Sequence, residues 1–242
     1  MENVINDLVG YNNLKICQRK DFFNFSLESI LLPNFAIITN KTKNIMDLGT
    51  GNAPIPLILS TKTKEKIIGV EVQKEIYDLA IESVRINGLD DRIEIINEDI
   101  LNVSKLYDTD SFDLILCNPP YFKINEFSLR SENIVKSNAR HENLINIEDI
   151  IVCSRKLLKN GGSLVLVHRT ERLCEILEKM KKNNIEPKRI KFIYPKKDSE
   201  SNMVLIEGRK NAKEGVIVEK GIIVHNSDGS YTKEVNILFE RN

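Results

Sequence analysis

The stretch NIMDLGTGNAPIP, residues 44–56, decides the fold. It begins as a short apolar run that reaches Asp47, and Gly49, Thr50 and Gly51 follow. An apolar run bounded by glycines is typical of a buried strand, and glycines permit a tight turn and close approach of the backbone to a ligand. A proline stands where a dinucleotide-binding fingerprint has its third glycine, which weakens a pyrophosphate site. We therefore predict a strand followed by a ligand-binding turn.

Further apolar runs alternate with helical patterns along the rest of the chain. The other strand candidates are EKIIGVE (65–71), RIEIIN (92–97), FDLILC (112–117), GGSLVLVH (161–168), RIKFIYP (189–195) and NMVLIEG (202–208). Helical spacing of apolar residues occurs at 75–89, 147–162 and 171–184. This alternation predicts an α/β fold, a mostly parallel seven-stranded sheet with helices on both faces. Ligands of such sheets bind outside the carboxyl ends of the strands, at the topological switch point.

Acidic residues also mark the ends of the second and third predicted strands. Glu71, with Val72 beside it, stands about 20 residues after the glycine turn, where a carboxylate can accept hydrogen bonds from ribose hydroxyls. Asp99 can accept from an adenine amino group, and Ile100 can pack against the ring. Either acid alone is also compatible with a simple helix cap. Together they favour an adenosine cofactor without a phosphate cradle, which S-adenosylmethionine fits better than NAD does.

The fourth strand candidate ends in the sequence NPPY, from Asn118 through Pro119 and Pro120 to Tyr121. The prolines stiffen the turn, and the Asn118 amide oxygen and the Pro119 carbonyl supply two acceptors for a planar NH₂ group. Holding both N–H bonds favours the pyramidal geometry of an attacking nitrogen. Tyr121 offers a plane on which a base can stack. Asn-Pro is also a common turn dipeptide, but the acidic series beside it favours catalysis.

Length and composition are ordinary for a globular protein. The chain has 242 residues, 35 basic against 35 acidic side chains, and no apolar run long enough for a membrane span. Its N-terminus lacks the pattern of a signal peptide, and its cysteines form no zinc motif, so we expect a cytoplasmic protein without metal. We divide it into an N-terminal segment (1–40), a catalytic domain (41–210) and a C-terminal extension packed on that domain (211–242).

The motifs together resemble the class I methyltransferases that modify amino groups. More narrowly, the chain is similar to the bacterial tRNA adenine-N6 methyltransferases that act on valine tRNA, at the adenine 3′ of the anticodon. The matching segments are FSLESILL (25–32), LILSTKTKEKIIGVE (57–71), CNPPYFK (117–123), ARHE (139–142), LVHRTERL (166–173), EPKRIKFIYPK (186–196) and YTKEV (231–235). The resemblance covers nearly the whole chain and implies a Rossmann-like fold, S-adenosyl-L-methionine as cofactor and tRNA as partner.

The resemblance also implies roles for individual positions. Asp47 and the glycine turn would line the methionine part of the cofactor, Glu71 the ribose, and Asp99 with Ile100 the adenine. The resemblance makes residues 1–40 a cap segment over the cofactor pocket, with Phe25 and Ser26 closest to it. The segment that carries them is also compatible with an amphipathic helix that packs on the sheet.

RNA contacts are expected on two basic segments. The long polar loop 122–146 carries Arg130 and Arg140, together with His141, which we rate a weak candidate for a base. The stretch 179–197 has 8 basic residues against one acidic residue; its proposed contacts are Lys181, Lys182, Lys188 and Arg189. On charge alone, a solvated helix face and loop is the better interpretation of this stretch, and the resemblance to tRNA-modifying enzymes is what favours RNA contact. His168, at the end of a strand, is expected to be structural.

Other functions remain open at this point. A glutamine methyltransferase acting on release factors uses the same NPPY logic, but its family carries an N-terminal helical domain for which only 46 residues are available here. A DNA adenine methyltransferase needs a target-recognition domain, so no DNA partner is expected. A ribosomal RNA guanine methyltransferase is harder to exclude. The alternative to an enzyme is an RNA-binding protein that has kept the fold without catalytic activity.

Overall fold

The computed structural model describes residues 3–19, 26–119 and 146–239. The strands are β1 (Asn3–Leu8), β2 (Tyr11–Arg19), β3 (Asn44–Leu48), β4 (Lys66–Glu71), β5 (Ile93–Asn97), β6 (Phe112–Cys117), β7 (Leu158–Arg169), β8 (Ile185–Lys196), β9 (Met203–Lys210), β10 (Ile217–Val218) and β11 (Ile222–His225). The helices are α1 (Leu27–Phe35), α2 (Pro54–Ser60), α3 (Lys74–Ile86), α4 (Ile100–Leu106), α5 (Ile147–Leu157), α6 (Leu173–Lys182) and α7 (Lys233–Phe239), and a 3₁₀ turn (Thr170–Arg172) precedes α6.

A nine-stranded sheet organises the molecule. Its strand order is β10-β8-β9-β7-β6-β3-β4-β5, and β11 also pairs with β8. β3 to β7 pair in parallel with one another, whereas β9 runs antiparallel between β7 and β8. The predicted mostly parallel α/β sheet is therefore confirmed. The sheet contains the seven predicted strands and, in addition, the short edge strands β10 and β11, which pair with β8. Among the described residues, no helix is long and apolar enough to cross a bilayer.

Alternating side chains of the strands form one hydrophobic core on each face of the sheet. Ile45 and Leu116 belong to the core that α1, α2, α3 and α7 cover. Met46 and Cys117, one position away on the same strands, belong to the core under α4, α5 and α6. Burial on both faces explains why these parallel strands read as continuous apolar runs in the sequence.

The N-terminal strands β1 and β2 form a separate antiparallel hairpin, which the sequence patterns did not predict. The hairpin is bonded to a side chain of α3 and to the asparagine that follows this helix. The Cys17 N–H donates to Ser83 Oγ at 2.9 Å, and the Lys15 N–H donates to Asn87 Oδ1 at 2.9 Å. These bonds satisfy backbone groups that an isolated pair of strands would leave to solvent.

Candidate active site

The parallel register brings the marked strand ends to one edge of the sheet. Leu48, the last residue of β3, pairs with Val70 of β4 and with Cys117 of β6. Glu71, the last residue of β4, pairs with Asn97 of β5. β6 lies beside β3 although β4 and β5 intervene in sequence, so this edge is the topological switch point. The structure thus brings the glycine turn, the acidic strand end and Asn118 together, as the sequence predicts.

The glycine turn presents bare backbone to open space. Gly49 and Gly51 have φ angles of 73° and 58°, a region that side chains rarely adopt. A β-carbon at either position would meet no heavy atom within 4 Å. The N–H of Thr50 donates to the Val70 carbonyl at 2.8 Å, which fixes the turn to the neighbouring strand. The open side of the turn can therefore accept a ligand without displacing protein atoms.

Asp47 carries the most unusual charge in this region. Its side chain is fully buried, and neither carboxylate oxygen, nor the Thr50 hydroxyl, has a hydrogen-bond partner among the described residues. Burial raises the pKa of Asp47 to about 7. The Thr50 hydroxyl, near the carboxylate although outside hydrogen-bond geometry, opposes that rise, and the charge of Glu71 adds to it. A buried carboxylate without a partner is costly, and a cationic or N–H-bearing ligand would satisfy it.

Glu71 is nearly buried and is already positioned by the backbone. Its Oε2 accepts from the Gly51 N–H at 3.1 Å, and its Oε1 accepts from the Gln73 N–H at 2.9 Å. Burial raises the pKa of Glu71, although the backbone N–H groups of Gln73, Gly51 and Val72 oppose that rise. A carboxylate oxygen can accept more than one hydrogen bond, so both oxygens keep capacity for ligand hydroxyls. Val72 follows with an exposed side chain.

The end of β5 contributes one predicted residue and one that the sequence patterns did not reveal. Asp99 caps α4, because its Oδ1 accepts from the Leu101 N–H at 2.9 Å, and Ile100 beside it is buried. Asn97 was not predicted: its Nδ2 donates to the carbonyl oxygens of Glu71 at 2.8 Å and Val72 at 3.0 Å. A side-chain amide at the last position of a strand was the signal for this role. Asn97 fixes the backbone at the end of β4.

The NPPY motif is described only in its first half. Asn118 is partly buried and Pro119 is buried directly after β6, whereas Pro120 and Tyr121 lie outside the described residues. Phe25 also lies outside them. Ser26 stands at the start of α1, with its Oγ 3.5 Å from Ser29 Oγ.

Residues 28–190 match the family described as "Methyltransferase small domain". The chain belongs to this family. The match begins in α1 and ends within β8, so it includes every strand end described above.

Curated relatives match this methyltransferase over most of its length. One from Cytophaga hutchinsonii is 23% identical over 231 residues, covering 95% of this chain and 94% of its own. One from Porphyromonas gingivalis is 28% identical over 203 residues, covering 82% of this chain and 78% of its own. Both are named tRNA1(Val) (adenine(37)-N6)-methyltransferase.

Solved structures share the fold of the methyltransferase. A predicted O-methyltransferase from Agrobacterium tumefaciens superposes with a TM-score of 0.70 at 19% identity, covering 88% of this chain and 96% of its own. Geranyl diphosphate C-methyltransferase from Streptomyces coelicolor, solved with S-adenosyl-L-homocysteine, superposes with a TM-score of 0.58 at 13% identity, covering 76% of each chain. At such identities the likeness establishes the class I methyltransferase architecture alone.

The basic residues expected to contact RNA have unequal surroundings in the methyltransferase. Lys181 and Lys182 lie in the last turn of α6, and the Lys182 side chain is 72% exposed, with its Nζ 3.4 Å from Glu148. Lys188 donates to the backbone carbonyls of Lys213 at 3.1 Å and Glu214 at 3.4 Å. Arg130 and Arg140 lie outside the described residues, as does His141.

Arg189 is engaged inside the protein. Its guanidinium contacts Glu207 and Glu219 at 2.6 Å each and the Phe35 carbonyl at 3.2 Å, and it stacks 4.2 Å from the centre of the Phe35 ring. Its side chain is only 14% exposed. Because these partners use the guanidinium for structure, we no longer count Arg189 among the proposed RNA contacts.

His168 has a structural setting in the methyltransferase. It is buried, its Nδ1 accepts from the Arg169 N–H at 2.8 Å, and burial followed by the charge of Arg172 lowers its pKa to about 4. Among the described residues, no group of histidine, cysteine and acidic side chains is arranged to hold a metal ion.

The hairpin also reaches the glycine turn of the methyltransferase, a contact that sequence patterns did not reveal. Asn52, the residue after Gly51, donates from Nδ2 to the Cys17 carbonyl of β2 at 2.9 Å. The backbone N–H of Cys17 also donates a hydrogen bond to Ser83 of α3. Strand β2 therefore connects the glycine turn to α3 through hydrogen bonds. No local pattern could have shown this, because the partners lie 35 residues apart.

Proposed function

We propose that this chain is an S-adenosylmethionine-dependent methyltransferase that methylates the exocyclic N6 of adenine 37 in valine tRNA. One observation carries the proposal: a partnerless buried Asp47 and a positioned Glu71 flank a bare glycine turn, next to the Asn118 that follows β6. The names of the curated relatives that match nearly the whole chain support adenine 37 of tRNA as the target.

The residues present fit the proposed cofactor. Asp47 offers an unsatisfied buried carboxylate to the cofactor's ammonium group, and the open turn at Gly49 and Gly51 leaves room for its methionine part. Glu71 can accept from the ribose hydroxyls, and Asp99 with Ile100 can border the adenine. Because Asp99 Oδ1 caps α4, we assign Oδ2 as the acceptor for the adenine amino group. When bound, S-adenosylmethionine supplies a methyl group on a sulfonium, ready for transfer.

Asn118 and Pro119 are assigned to the target base. An exocyclic amino nitrogen is a poor nucleophile because its lone pair is delocalised into the ring. Two acceptors, the Asn118 amide oxygen and the Pro119 carbonyl, would hold the two N–H bonds while positive charge develops on nitrogen, which lowers the barrier. The methylated nitrogen then releases a proton readily, so no strong base is required. Pro120 and Tyr121 would complete the clamp and the stacking surface.

The RNA-facing surface is proposed to include the end of α6. Lys181 and Lys182 project there, and Lys188 contributes to a lesser degree because two carbonyls already hold its ammonium. Arg130 and Arg140 remain proposed contacts from the loop after the NPPY motif. A tRNA substrate places the reaction in the cytoplasm, and the proposal includes no DNA partner and no metal.

The test is a methylation assay with labelled S-adenosylmethionine and total tRNA from a strain that lacks this gene. We expect N6-methyladenosine in the digested nucleosides, mapping beside the anticodon of valine tRNA. Asn118→Ala protein serves as the inactive control. Label in guanine of ribosomal RNA, or in a glutamine amide of a release factor, would replace the proposed substrate. Absence of cofactor binding by calorimetry would overturn the proposal as a whole.

A further inference from the structure

The glycine turn has a backbone conformation that depends on its contacts. Gly49, Gly51 and Ala53 have φ angles of 73°, 58° and 71°, so left-handed residues alternate along the turn. Glycine adopts this region freely, whereas the β-carbon of Ala53 makes it unfavourable. A residue with a side chain keeps such a conformation only where its surroundings hold it there. The contacts of the turn therefore determine the shape that it presents to a ligand.

One of these contacts comes from outside the nine-stranded sheet. The N–H groups of Thr50 and Gly51 bond to the last two residues of β4, and the Ala53 N–H donates to the Thr50 carbonyl at 3.0 Å. Asn52 lies between them, and its Nδ2 donates to the Cys17 carbonyl of β2 at 2.9 Å. Asn52 is thus the side chain through which the hairpin β1–β2 holds the turn.

The carbonyl that accepts from Asn52 is itself fixed. Cys17 is buried, and its N–H donates to Ser83 Oγ at 2.9 Å. Ser83 is buried within α3, and its Oγ donates to the Leu79 carbonyl at 2.8 Å. Both backbone groups of Cys17 are therefore paired with side chains from other elements of the fold. Because buried backbone groups are costly to leave unpaired, the position of β2 beside the turn is well defined.

We propose that Asn52 is a positioning residue for S-adenosylmethionine and that the hairpin is the support on which it acts. This inference rests on the proposed function, which assigns the turn and Glu71 to the cofactor. The Asn52 amide keeps the backbone of the turn in place, and the neighbouring Gly51 N–H thereby stays on the Glu71 carboxylate. A site that is already in its binding conformation loses less entropy when the ligand arrives, which increases affinity.

The position of Asn52 separates binding from methyl transfer. The target base is assigned to Asn118, which follows β6, whereas Asn52 holds the turn after β3. Loss of the Asn52 amide should therefore weaken cofactor binding and raise KM for the cofactor, while kcat at saturating cofactor stays near the wild-type value. A residue needed only for folding would instead lower thermal stability without this separation.

The experiment is isothermal titration calorimetry of the purified full chain with S-adenosylmethionine. Asn52→Ala should raise the dissociation constant about tenfold and change kcat by less than about twofold. The matched control is Asn87→Ala. Asn87 follows α3, and its Nδ2 donates to the Lys15 carbonyl of the same strand β2 at 2.6 Å. Because the bond to Ser83 still fixes Cys17, this variant should lose stability but keep the wild-type cofactor affinity.

A double-variant cycle tests the route through the hairpin. Ser83→Ala removes the acceptor of the Cys17 N–H and should raise the dissociation constant about threefold. The variant that combines Ser83→Ala with Asn52→Ala should bind about as weakly as Asn52→Ala alone, because without the amide the turn is no longer bonded to Cys17. Additive losses, or a Ser83→Ala protein with wild-type affinity, overturn the role assigned to the hairpin.

Hydrogen exchange of the ligand-free protein gives a readout that is independent of the cofactor. The amides of residues 50–53 should exchange faster in Asn52→Ala and at wild-type rates in Asn87→Ala. A wild-type protein that binds no cofactor contradicts the proposed function itself. Cofactor binding that is equally tight in the wild type and Asn52→Ala, or equal losses in Asn52→Ala and Asn87→Ala, overturns this inference alone.

Discussion

The backbone N–H of Gly51 donates to the carboxylate of Glu71 at 3.1 Å, across the gap between β3 and β4. The glycine turn and the acidic strand end are therefore structurally coupled, and a substitution in either is expected to shift the other. This coupling gives the proposed ribose-binding residue a second task, which is to shape the turn that faces the ligand.

Glu71→Ala should weaken binding of S-adenosylmethionine by about 10- to 100-fold, because it removes a charged acceptor and releases the Gly51 N–H. Isothermal titration calorimetry measures the effect directly. Glu75→Ala, which removes an exposed carboxylate paired with Arg19 at the start of α3, should leave the affinity unchanged. Equal losses in the two variants would mean that general charge near α3, rather than the strand end, attracts the cofactor.

Asn97→Ala should raise the cofactor dissociation constant by about 5- to 20-fold without abolishing turnover at saturation. The reason is that the amide holds the two carbonyls at the end of β4 and so sets the position of Glu71. The matched control is Asn44→Ala, which removes an amide donating to the Ser111 carbonyl at the opposite end of the sheet. If both variants lower thermal stability alike and neither changes cofactor affinity, Asn97 is structural only.

Asn118→Ala should lower kcat for methyl transfer by about 10²–10³-fold while the cofactor affinity stays within a few-fold of the wild type. The loss reflects one acceptor removed from the target amino group. Asn211→Ala, an asparagine in an exposed turn after β9, controls for the substitution. Turnover near the wild-type rate would remove Asn118 from the reaction.

Asp47 should make stability depend on pH in a defined window. In the unfolded chain its pKa is near 3.8, whereas burial raises it to about 7 in the folded chain. The folded state therefore holds the proton more tightly, and its free energy of unfolding falls as pH rises from about 4 to about 7.

Asp47→Asn cannot lose that proton, so its stability relative to the wild type should rise by up to about 4 kcal/mol across the window. Urea unfolding at several pH values measures the difference. Asp113 provides the control. Burial opposes the shift, but Lys159 and the Asn44 and Lys43 N–H groups hold its pKa below 3.8. Asp113→Asn should therefore show a constant difference above pH about 4. A constant difference for Asp47→Asn as well would place its pKa at the ordinary value.

Charge reversal of Lys181 and Lys182 to glutamate should weaken tRNA binding about tenfold, while cofactor binding is unchanged. The loss of tRNA affinity should be larger at lower salt concentrations. Filter binding at several salt concentrations measures this. The control variant reverses the charge of Lys41 and Lys64, which precede β3 and β4 at the opposite edge of the sheet. An equal effect of both pairs would indicate attraction by overall charge, without a defined surface at α6.

The sequence predicted the sheet because burial on both faces leaves long apolar runs, and those runs became β3 to β9 with ends shifted by a few residues. It missed α2 because Pro54 and Pro56 read as loop, although Pro54 occupies the first helical position, where proline is tolerated. It missed β10 because that strand is only two residues long. The hairpin β1–β2 depends on bonds to α3 that no local pattern contains.

The candidate site was predictable where strand ends alone position a residue, as for Asp47, Glu71 and Asn118. It was not predictable where a distant partner decides the role. Arg189 looked like part of a basic surface, yet its partners Glu207 and Glu219 stand 18 and 30 residues further along the chain. Local charge counting could not include those carboxylates.

The insertion of β9 between β7 and β8 has a consequence for synthesis on the ribosome. β7 and β8 are made first, but neither pairs with the other, and each needs β9 as its neighbour. The parallel half of the sheet can assemble while translation continues, whereas β8 has no place in it until Lys210 has emerged. A nascent chain halted before that point exposes the β7 edge, and it is there that chaperones and aggregation compete for the unfinished protein.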